Sequence, residues 1–164
     1  MDYITYYSSP IGKITIASNG NAIVGLWFNN QKHYASVLDK NNIQQNNLPI
    51  FKTVFSWLDI YFSGNQPKST PLINMRGTCF QRRVWNSLLS IPYGEVATYG
   101  TIAKQLNCPS AQAIGGAVGR NPISIIIPCH RVVGTNNKLI GYAGGINKKH
   151  WLLNLENNSS LFEV

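Results

Sequence analysis

The pair Cys129-His130 lies in the stretch IPCHRVVG, residues 127–134, and is the clearest candidate for chemistry in the chain. A histidine can take the proton of a thiol, and the resulting thiolate is a strong nucleophile. Neighbouring side chains on a regular strand or helix, however, point in different directions. The chain must therefore bend at this pair if the imidazole is to activate the sulfur.

The residues before Cys129 predict a rigid support for it. Segment 123–127 is an apolar run typical of a buried strand, and Pro128 lacks a backbone donor and would end that strand. The cationic neighbours His130 and Arg131 are expected to lower the pKa of the thiol towards neutrality. The alternative is an inert thiol packed in the core.

A carboxylate behind the imidazole would hold its tautomer. Residues 60–162 contain two candidates, Glu95 and Glu156. Glu95 follows the turn 92–94 and is expected to be exposed. Glu156 lies on a terminal helix whose apolar residues, between 151 and 155, must pack inward. We therefore predict Glu156 as the partner of His130, the alternative being a solvated residue at a helix end.

The segment Gly141–Gly145 (GYAGG) lies between the thiol and the terminal helix and has three glycines in five residues. Glycine lets backbone amides approach a bound group closely. The segment is interpreted either as one wall of a pocket or as a flexible turn.

Positive charge is concentrated in the second half of the chain. The formal net charge is +8, and residues 60–162 carry ten basic residues against two acidic ones. A basic surface suits a polyanion such as nucleic acid, because each neutralised phosphate releases condensed counterions. Many basic proteins bind no nucleic acid, so this feature alone leaves the partner open.

The composition, 44% hydrophobic and 12% charged among 164 residues, predicts one compact domain or two small ones sharing a surface. No stretch approaches the ~18 uninterrupted apolar residues of a membrane span, and the polar start is unlike a signal peptide, so a cytoplasmic protein is expected. The three cysteines lack a C-x-x-C pair, which argues against disulfides and structural zinc. Cys79 and Cys108 are expected to be partly buried small hydrophobes.

The first part of the chain has the pattern of antiparallel strands. Residues 3–7, 13–17 and 22–28 read as strands, and an Asn-Gly step separates the last two. Residues 29–47 are polar and predict a loop with at most one short helix. Apolar residues at helical spacing predict a helix from 51 to 62, and segment 70–74 predicts a further strand. We expect a structural role for this part.

The second part predicts a helix-turn-helix. Thr98 and Ser110 are suited to cap two short helices, the second running from 111 to 118. That helix is nearly without side chains and offers only Gln112 to base edges. Its small residues allow close packing, either against a neighbouring helix or in a nucleic-acid groove. In a groove we expect backbone or minor-groove contacts with little sequence specificity.

The stretch Pro128–Val133 (PCHRVV) resembles the active-site signature of the methylated-DNA–protein-cysteine methyltransferases, the O6-alkylguanine-DNA alkyltransferases. The resemblance covers the whole C-terminal half in order and fits residues 1–75 less specifically. The matching motifs are Gly77-Thr78-x-Phe80-Gln81, Val84-Trp85, Ile91-Pro92-x-Gly94, Thr98-Tyr99-Gly100, Gly115-Gly116-Ala117, Asn121-Pro122, Gly141-Tyr142-x-Gly144-Gly145 and Trp151-Leu152-Leu153.

The resemblance implies an α/β (α+β) fold with two domains. Residues 1–75 would form a small ribonuclease-H-like structural domain with antiparallel strands. Residues 76–164 would form a helix-turn-helix, winged-helix-like domain that binds DNA and carries the active-site cysteine. The implied reaction is a single-turnover repair, in which duplex DNA is bound through its minor groove, an O6-alkylguanine is flipped out, and its alkyl group passes to Cys129.

Roles for individual residues are implied at matching positions. Cys129 is the nucleophile, His130 the base acting through a water, and Glu156 the carboxylate behind it. Further implied roles are the turn-bracing Asn121, Tyr99 at the guanine leaving group, and Val132, Ala143 and Gly144 around the flipped base. DNA contacts are implied for Ser110, Ala111, Gln112, Gly115, Arg120 and Arg131.

The resemblance also sets limits. No cofactor is implied, and residues 1–75 contain His33 and no cysteine, so the zinc site of some relatives has no counterpart and no metal is expected. A monomer is expected. Gln112 stands where the family usually has an arginine that fills the gap left by the flipped base, which predicts weaker or slower extrusion.

The sequence leaves two alternative functions open. A non-catalytic relative would sense alkyl lesions and recruit other proteins, but such relatives carry another residue in place of Cys129. A Cys-His hydrolase or transferase for small molecules or peptides would turn over and would need no basic helix-turn-helix.

Overall fold

The N-terminal half is built on a four-stranded sheet in the computed structural model, which describes residues 1–157. The strands are β1 (Asp2–Ser9), β2 (Gly12–Ser18), β3 (Ile23–Phe28) and β4 (Ile43–Gln45), in the order β3-β2-β1-β4. β1, β2 and β3 pair antiparallel, and β4 pairs parallel to β1. The three antiparallel strands are those that the sequence predicts.

Helix α1 (Pro49–Phe62) follows the sheet and confirms the predicted helix. Proline is tolerated in the first turn, where its missing N–H has no intrahelical partner, and Gly64 leaves the helix with a φ of 89°. The buried residues of α1 recur at helical spacing and are Phe51, Val54, Leu58 and Tyr61.

The predicted strand at 70–74 is wrong. This segment makes one bridge to the sheet, between Ile73 and Ile23. The backbone of Ile23 bonds the segment on both sides of that bridge, at 2.8 Å each, and the pairing extends no further.

The loop 29–47 contains β4 and a series of turns, and no helix is found in it. Asn30, His33 and Ala35 have positive φ values of 63°, 58° and 54°. Left-handed residues cannot continue a right-handed helix, so the polar loop turns repeatedly instead.

The C-terminal half is mainly helical. Its elements are α2 (Cys79–Leu89), β5 (Ala97–Thr98), α3 (Tyr99–Gln105), α4 (Ala111–Gly119), β6 (Val132–Val133) and α5 (Ile146–Asn157), with β5 and β6 paired in parallel. Thr98 Oγ1 accepts the N–H of Thr101 at 3.1 Å, and Ser110 Oγ that of Ala113 at 3.0 Å, so the predicted caps of α3 and α4 are confirmed. Among residues 1–157 no helix is long and apolar enough to cross a membrane.

One apolar core joins the two halves. Leu26 of β3, Leu58 of α1 and Trp85 of α2 belong to the same buried cluster. The backbone of Leu26 also donates to Pro122 and accepts from Ser124, both at 2.9 Å. The fold is therefore α/β, with an antiparallel N-terminal sheet and a helical C-terminal part, as predicted.

Candidate active site

The chain bends at Cys129 through a 3-10 turn, Cys129–Arg131, and not at the end of a strand. The predicted strand at 123–127 is wrong, because a single bridge joins this buried segment to β3 and Ile125 has a φ of 70°. The side chain of Asn121 supplies the missing hydrogen bonds. Its amide donates to one end of the segment at 2.8 Å, and its carbonyl accepts from the other at 3.0 Å.

This turn places His130 against Glu156. His130 Nε2 lies 2.5 Å from Glu156 Oε2, and both side chains are 0% exposed. Glu156 projects from the face of α5 that also buries Leu152 and Leu153. The structure therefore brings the two predicted residues together and leaves Glu95 exposed.

The protonation states of the pair follow from its surroundings. Burial raises the pKa of Glu156, but its interactions with His130 and Arg131 outweigh burial and hold that pKa well below its usual value. Burial lowers the pKa of His130, despite the opposing effect of Glu156. At neutral pH the carboxylate is thus ionised and the imidazole neutral, with Nε2–H donating to Glu156.

The other imidazole nitrogen is free to act as a base. His130 Nδ1 is buried, and within residues 1–157 it has no hydrogen-bond partner. Because Nε2 carries the proton, Nδ1 holds an unshared lone pair. Such a nitrogen can accept a thiol proton directly or through one water.

Arg131 points largely inward, and its contact with DNA stays a prediction. Its side chain is 11% exposed, and Nε and Nη2 donate to Glu156 at 2.7 and 3.1 Å. Nη1 donates to the carbonyl of Ile91 at 2.8 Å. The buried carboxylate attracts this guanidinium inward, because an ionised Glu156 needs a counterion.

The expected lowering of the Cys129 pKa is also wrong. Burial raises the pKa of this thiol, and the opposing influences are a hydrogen bond from Asn121 and the charge of Lys149. His130 is neutral and Arg131 is paired with Glu156, so neither adjacent residue supplies the positive charge that was expected. The thiol therefore needs a base to become a nucleophile.

Lys149 is a residue of this site that the sequence reasoning missed. It is fully buried on α5, and its Nζ donates to the carbonyls of Ile140 and Gly141 at 3.3 and 3.1 Å. Burial lowers its pKa to about 8, against the attraction of Cys129. Its spacing from Leu152, Leu153 and Glu156 is i, i+3, i+4 and i+7, so helical periodicity alone places this lysine on the inward face.

Tyr61 was assigned only to the apolar face of α1, but its hydroxyl is part of the site. The phenol donates to Glu156 Oε2 at 2.6 Å and lies 3.4 Å from His130 Nε2. A buried tyrosine hydroxyl usually has a polar partner, and this was the available sequence signal. The N-terminal half is therefore more than a structural support.

A cavity of about 680 Å³ opens in front of the sulfur. The glycine-rich segment 141–145 forms one wall of it, which resolves the choice between a pocket wall and a turn. Its other lining residues include Cys129, Tyr99, Gly115, Arg120 and, from the N-terminal half, Asn30, Lys32 and His33, which the sequence reasoning missed. Lys32 N–H donates to the carbonyl of Ala143 at 3.0 Å and joins the loop to this wall.

Two predicted substrate residues take different positions. Tyr99 lines the cavity, and its hydroxyl donates to the carbonyl of Ile140 at 2.9 Å. Burial raises its pKa to about 12, and the nearby Cys129 adds to this, so the phenol remains a proton donor. Val132 is not among the residues that line the cavity; its side chain is buried and its N–H is bonded to the carbonyl of Cys129.

Helix α4 exposes three of its small residues, Ala111, Ala113 and Gly116. A β-carbon added at Gly116 or Gly119 would meet no atom within 4 Å, so this face is not packed against another helix. On the opposite, buried face of α4, Trp85 Nε1–H donates to the carbonyl of Ala117 at 2.9 Å. The predicted contact residues Ala111, Gln112 and Arg120 are exposed, while Ser110 and Gly115 are half-buried.

The remaining cysteines lie away from this cavity. Cys108 is partly buried, as predicted, but Cys79 is exposed at the start of α2, which the sequence prediction did not anticipate. Within residues 1–157 no group of three or more His, Cys, Asp or Glu residues is placed to hold a metal ion.

The sequence matches two family descriptions over most of its length. Residues 3–72 match "6-O-methylguanine DNA methyltransferase, ribonuclease-like domain", and residues 79–158 match "6-O-methylguanine DNA methyltransferase, DNA binding domain". The chain belongs to this family. Methylated-DNA–protein-cysteine methyltransferases of Haemophilus influenzae and Methanosarcina acetivorans are each 42% identical to it. The alignments cover 94% of the chain in both cases, and 86% and 97% of the respective relatives.

Solved methyltransferase structures share the fold. The Mycobacterium tuberculosis OGT in complex with DNA is 40% identical and has a TM-score of 0.86, over 95% of this chain and 93% of that one. The M. tuberculosis O6-methylguanine methyltransferase is 42% identical with a TM-score of 0.85, over 96% and 94% of the two chains. The family resemblance noted in the sequence and the predicted fold class are thus confirmed.

Proposed function

We propose that this methyltransferase repairs DNA by moving an alkyl group from O6-alkylguanine in duplex DNA onto Cys129, once per protein molecule. The observation that carries the proposal is the buried His130–Glu156 pair behind a cysteine that lines an open cavity. Family membership supports the reaction type, since the relatives are named for methyl transfer from DNA to a protein cysteine.

The chemistry begins with the thiol proton. His130 Nδ1 takes it, directly or through a water, and Glu156 stabilises the imidazolium that forms. The thiolate then attacks the alkyl carbon, so a sulfur–carbon bond forms while the bond from that carbon to O6 breaks. The electron pair of the broken bond stays on the guanine.

The leaving guanine needs a proton or a positive charge nearby. Tyr99 retains its proton at neutral pH and lines the same cavity, so it can donate to the guanine after releasing Ile140. The Lys149 ammonium attracts the thiolate before transfer. The product is a thioether, which has no ionisable proton and cannot regenerate the thiolate, so each protein molecule reacts once.

We propose that α4 enters the minor groove. Its outward glycines leave room for a close approach of the DNA backbone, and Arg120 and Lys32 lie at the cavity. Because O6-alkylguanine has lost part of its pairing, extrusion costs less than for an intact base. Ala143 and Gly144, which line the cavity, are then placed to contact the extruded base.

The remaining expectations belong to the same proposal. Residues 1–75 and 76–164 act as two domains with a shared core, the second carrying the DNA contacts. The protein works as a monomer in the cytoplasm, where a single copy with one nucleophile completes one repair.

The stoichiometry of the reaction tests this function. A duplex containing O6-methylguanine, supplied in excess, should lose one methyl group per protein molecule and then no more. Continued turnover would indicate a hydrolase or a catalytic transferase. Tight binding with the lesion left intact would indicate a lesion sensor.

Gln112→Arg should increase the rate of repair. A guanidinium reaches further than the amide and adds a charge, which we expect to raise the transfer rate on duplex DNA about 3- to 10-fold. Transfer from the free base O6-methylguanine should stay constant, because no base is extruded. Unchanged DNA affinity together with an unchanged duplex rate would contradict this role for position 112.

A further inference from the structure

We propose that Tyr61, on helix α1 of the N-terminal half, is a positioning residue that controls the proton affinity of His130 through Glu156. This inference rests on the proposed function. It assigns to the N-terminal domain a part in the chemistry, although every residue to which the family resemblance gives a role lies beyond residue 98.

The geometry makes Tyr61 and His130 compete for one oxygen. Both lie against Glu156 Oε2, the phenol at 2.6 Å and the imidazole Nε2 at 2.5 Å. Glu156 Oε1 is occupied separately, by Arg131 Nε at 2.7 Å and the N–H of Gly94 at 3.2 Å. Two further donors share the oxygen that faces His130. They are the Tyr61 hydroxyl and, at 3.1 Å, Arg131 Nη2.

Tyr61 can only act as a donor to this carboxylate. Burial raises the pKa of Tyr61 well above its ordinary value, and the charge of Glu156 raises it further. Its proton is thus always present and draws negative charge away from Oε2. Less charge on this oxygen means weaker stabilisation of an imidazolium, which keeps His130 neutral and ready to accept the thiol proton.

Packing holds the phenol in place. The Tyr61 ring stacks on Trp57 at 5.6 Å and meets the rings of Tyr93 and His130 edge-on at 6.2 and 6.4 Å. The charged or titratable groups around the pair come from every neighbouring element. They are Tyr61 from α1, Tyr93 from the turn before β5, Arg131 from the 3-10 turn, Tyr142 from the glycine-rich segment and Lys149 from α5.

Tyr93→Phe provides a matched control. The Tyr93 hydroxyl is buried in the same aromatic cluster, but within residues 1–157 it has no hydrogen-bond partner. Removing it changes the packing about as much as removing the Tyr61 hydroxyl. It leaves the hydrogen bonds of Glu156 intact.

The test is the pH dependence of single-turnover methyl transfer from O6-methylguanine duplex. Tyr61→Phe should move the acid limb of the profile to higher pH, because His130 becomes more basic and is protonated over a wider range, so the rate at a fixed pH on that limb should fall by about tenfold. Tyr93→Phe should follow the wild type. Adding Tyr61→Phe to Glu156→Gln should cause no further loss, since the ionised carboxylate through which Tyr61 acts on His130 is then a neutral amide.

Two outcomes would overturn the proposal. One is a Tyr61→Phe profile that coincides with that of the wild type. The other is a rate loss from Tyr61→Phe that is equally large in the wild type and in Glu156→Gln, which would indicate a packing effect. Thermal unfolding of each variant identifies any loss of fold. Failure of the proposed function is distinguishable, because the wild type itself would then transfer no methyl group.

Discussion

Glu156→Gln should nearly abolish methyl transfer and also weaken the fold. The amide cannot stabilise an imidazolium and accepts fewer of the hydrogen bonds now made by His130, Arg131 and Tyr61. We expect the single-turnover rate to fall by at least about 100-fold. Because the buried Arg131 loses its counterion, the free energy of unfolding should fall by about 3–5 kcal/mol.

The pH dependence of stability gives this prediction a second readout. The folded-state pKa of Glu156 is lowered, so its contribution to stability is present above the unfolded-state pKa and is lost as the pH falls. The wild type should therefore lose stability on acidification below about pH 4.5, and Glu156→Gln should lose less over the same range. Denaturant unfolding of the wild type and of Glu156→Gln, at pH 7 and at lower pH, measures these changes in stability.

Glu95→Gln is the matched control, because Glu95 is exposed and lies in the same half of the chain. It should leave the transfer rate and the unfolding free energy essentially unchanged. Equal losses in the two variants would show that the general charge of this half matters and the His130–Glu156 pair does not.

Lys149→Met should slow transfer without unfolding the protein. The buried ammonium attracts the Cys129 thiolate, and losing it should reduce the rate at pH 7 by about 10- to 100-fold. Methionine fills a similar volume, and an apolar side chain avoids the cost of burying a charge. We therefore expect the free energy of unfolding to change by no more than about 1 kcal/mol.

The alkaline side of the pH profile tests the same residue. Lys149 has a pKa of about 8, so it is charged at pH 7 and becomes neutral as the pH rises through 8. The wild-type rate should decline above that pH, and Lys149→Met should lack this decline. Lys148→Met, at the half-buried neighbouring lysine, should retain both the rate and the decline. A decline that survives in Lys149→Met would assign it to another group.

The sequence predicted the elements that depend on local chemistry. Thr98 and Ser110 cap their helices because hydroxyl groups bond the free N–H groups of a first turn. The three antiparallel strands follow from alternation, and the choice of Glu156 over Glu95 followed from helical periodicity. Each of these predictions uses information within a few residues of the position concerned.

Errors arose where a side chain outside a segment decides the local structure. The apolar segment 123–127 has the composition of a strand, but Asn121 satisfies its backbone and allows a turn with Ile125 in the left-handed region. The family resemblance implied a DNA contact for Arg131. The buried charge of Glu156, distant in sequence, determines its direction.

Residues from both halves of the chain meet in the site, and this also limited the prediction. Tyr61 was part of an apolar stripe, and its contact with Glu156 spans 95 positions in sequence. Lys149 could have been found, because the same periodicity that selected Glu156 places it on the inward face of α5. Asn30, Lys32 and His33 line the cavity because hydrogen bonds join β3 to segment 122–124 and Lys32 to Ala143, partners that are distant in the sequence.

The most direct test of the central claim is the mass of each cysteine-containing peptide after the wild-type protein has reacted with an O6-methylguanine duplex. One methyl group should appear on the peptide that contains Cys129, and the peptides with Cys79 and Cys108 should keep their mass. A methyl group on Cys79 or Cys108, or repaired DNA with no peptide gaining mass, would contradict the account.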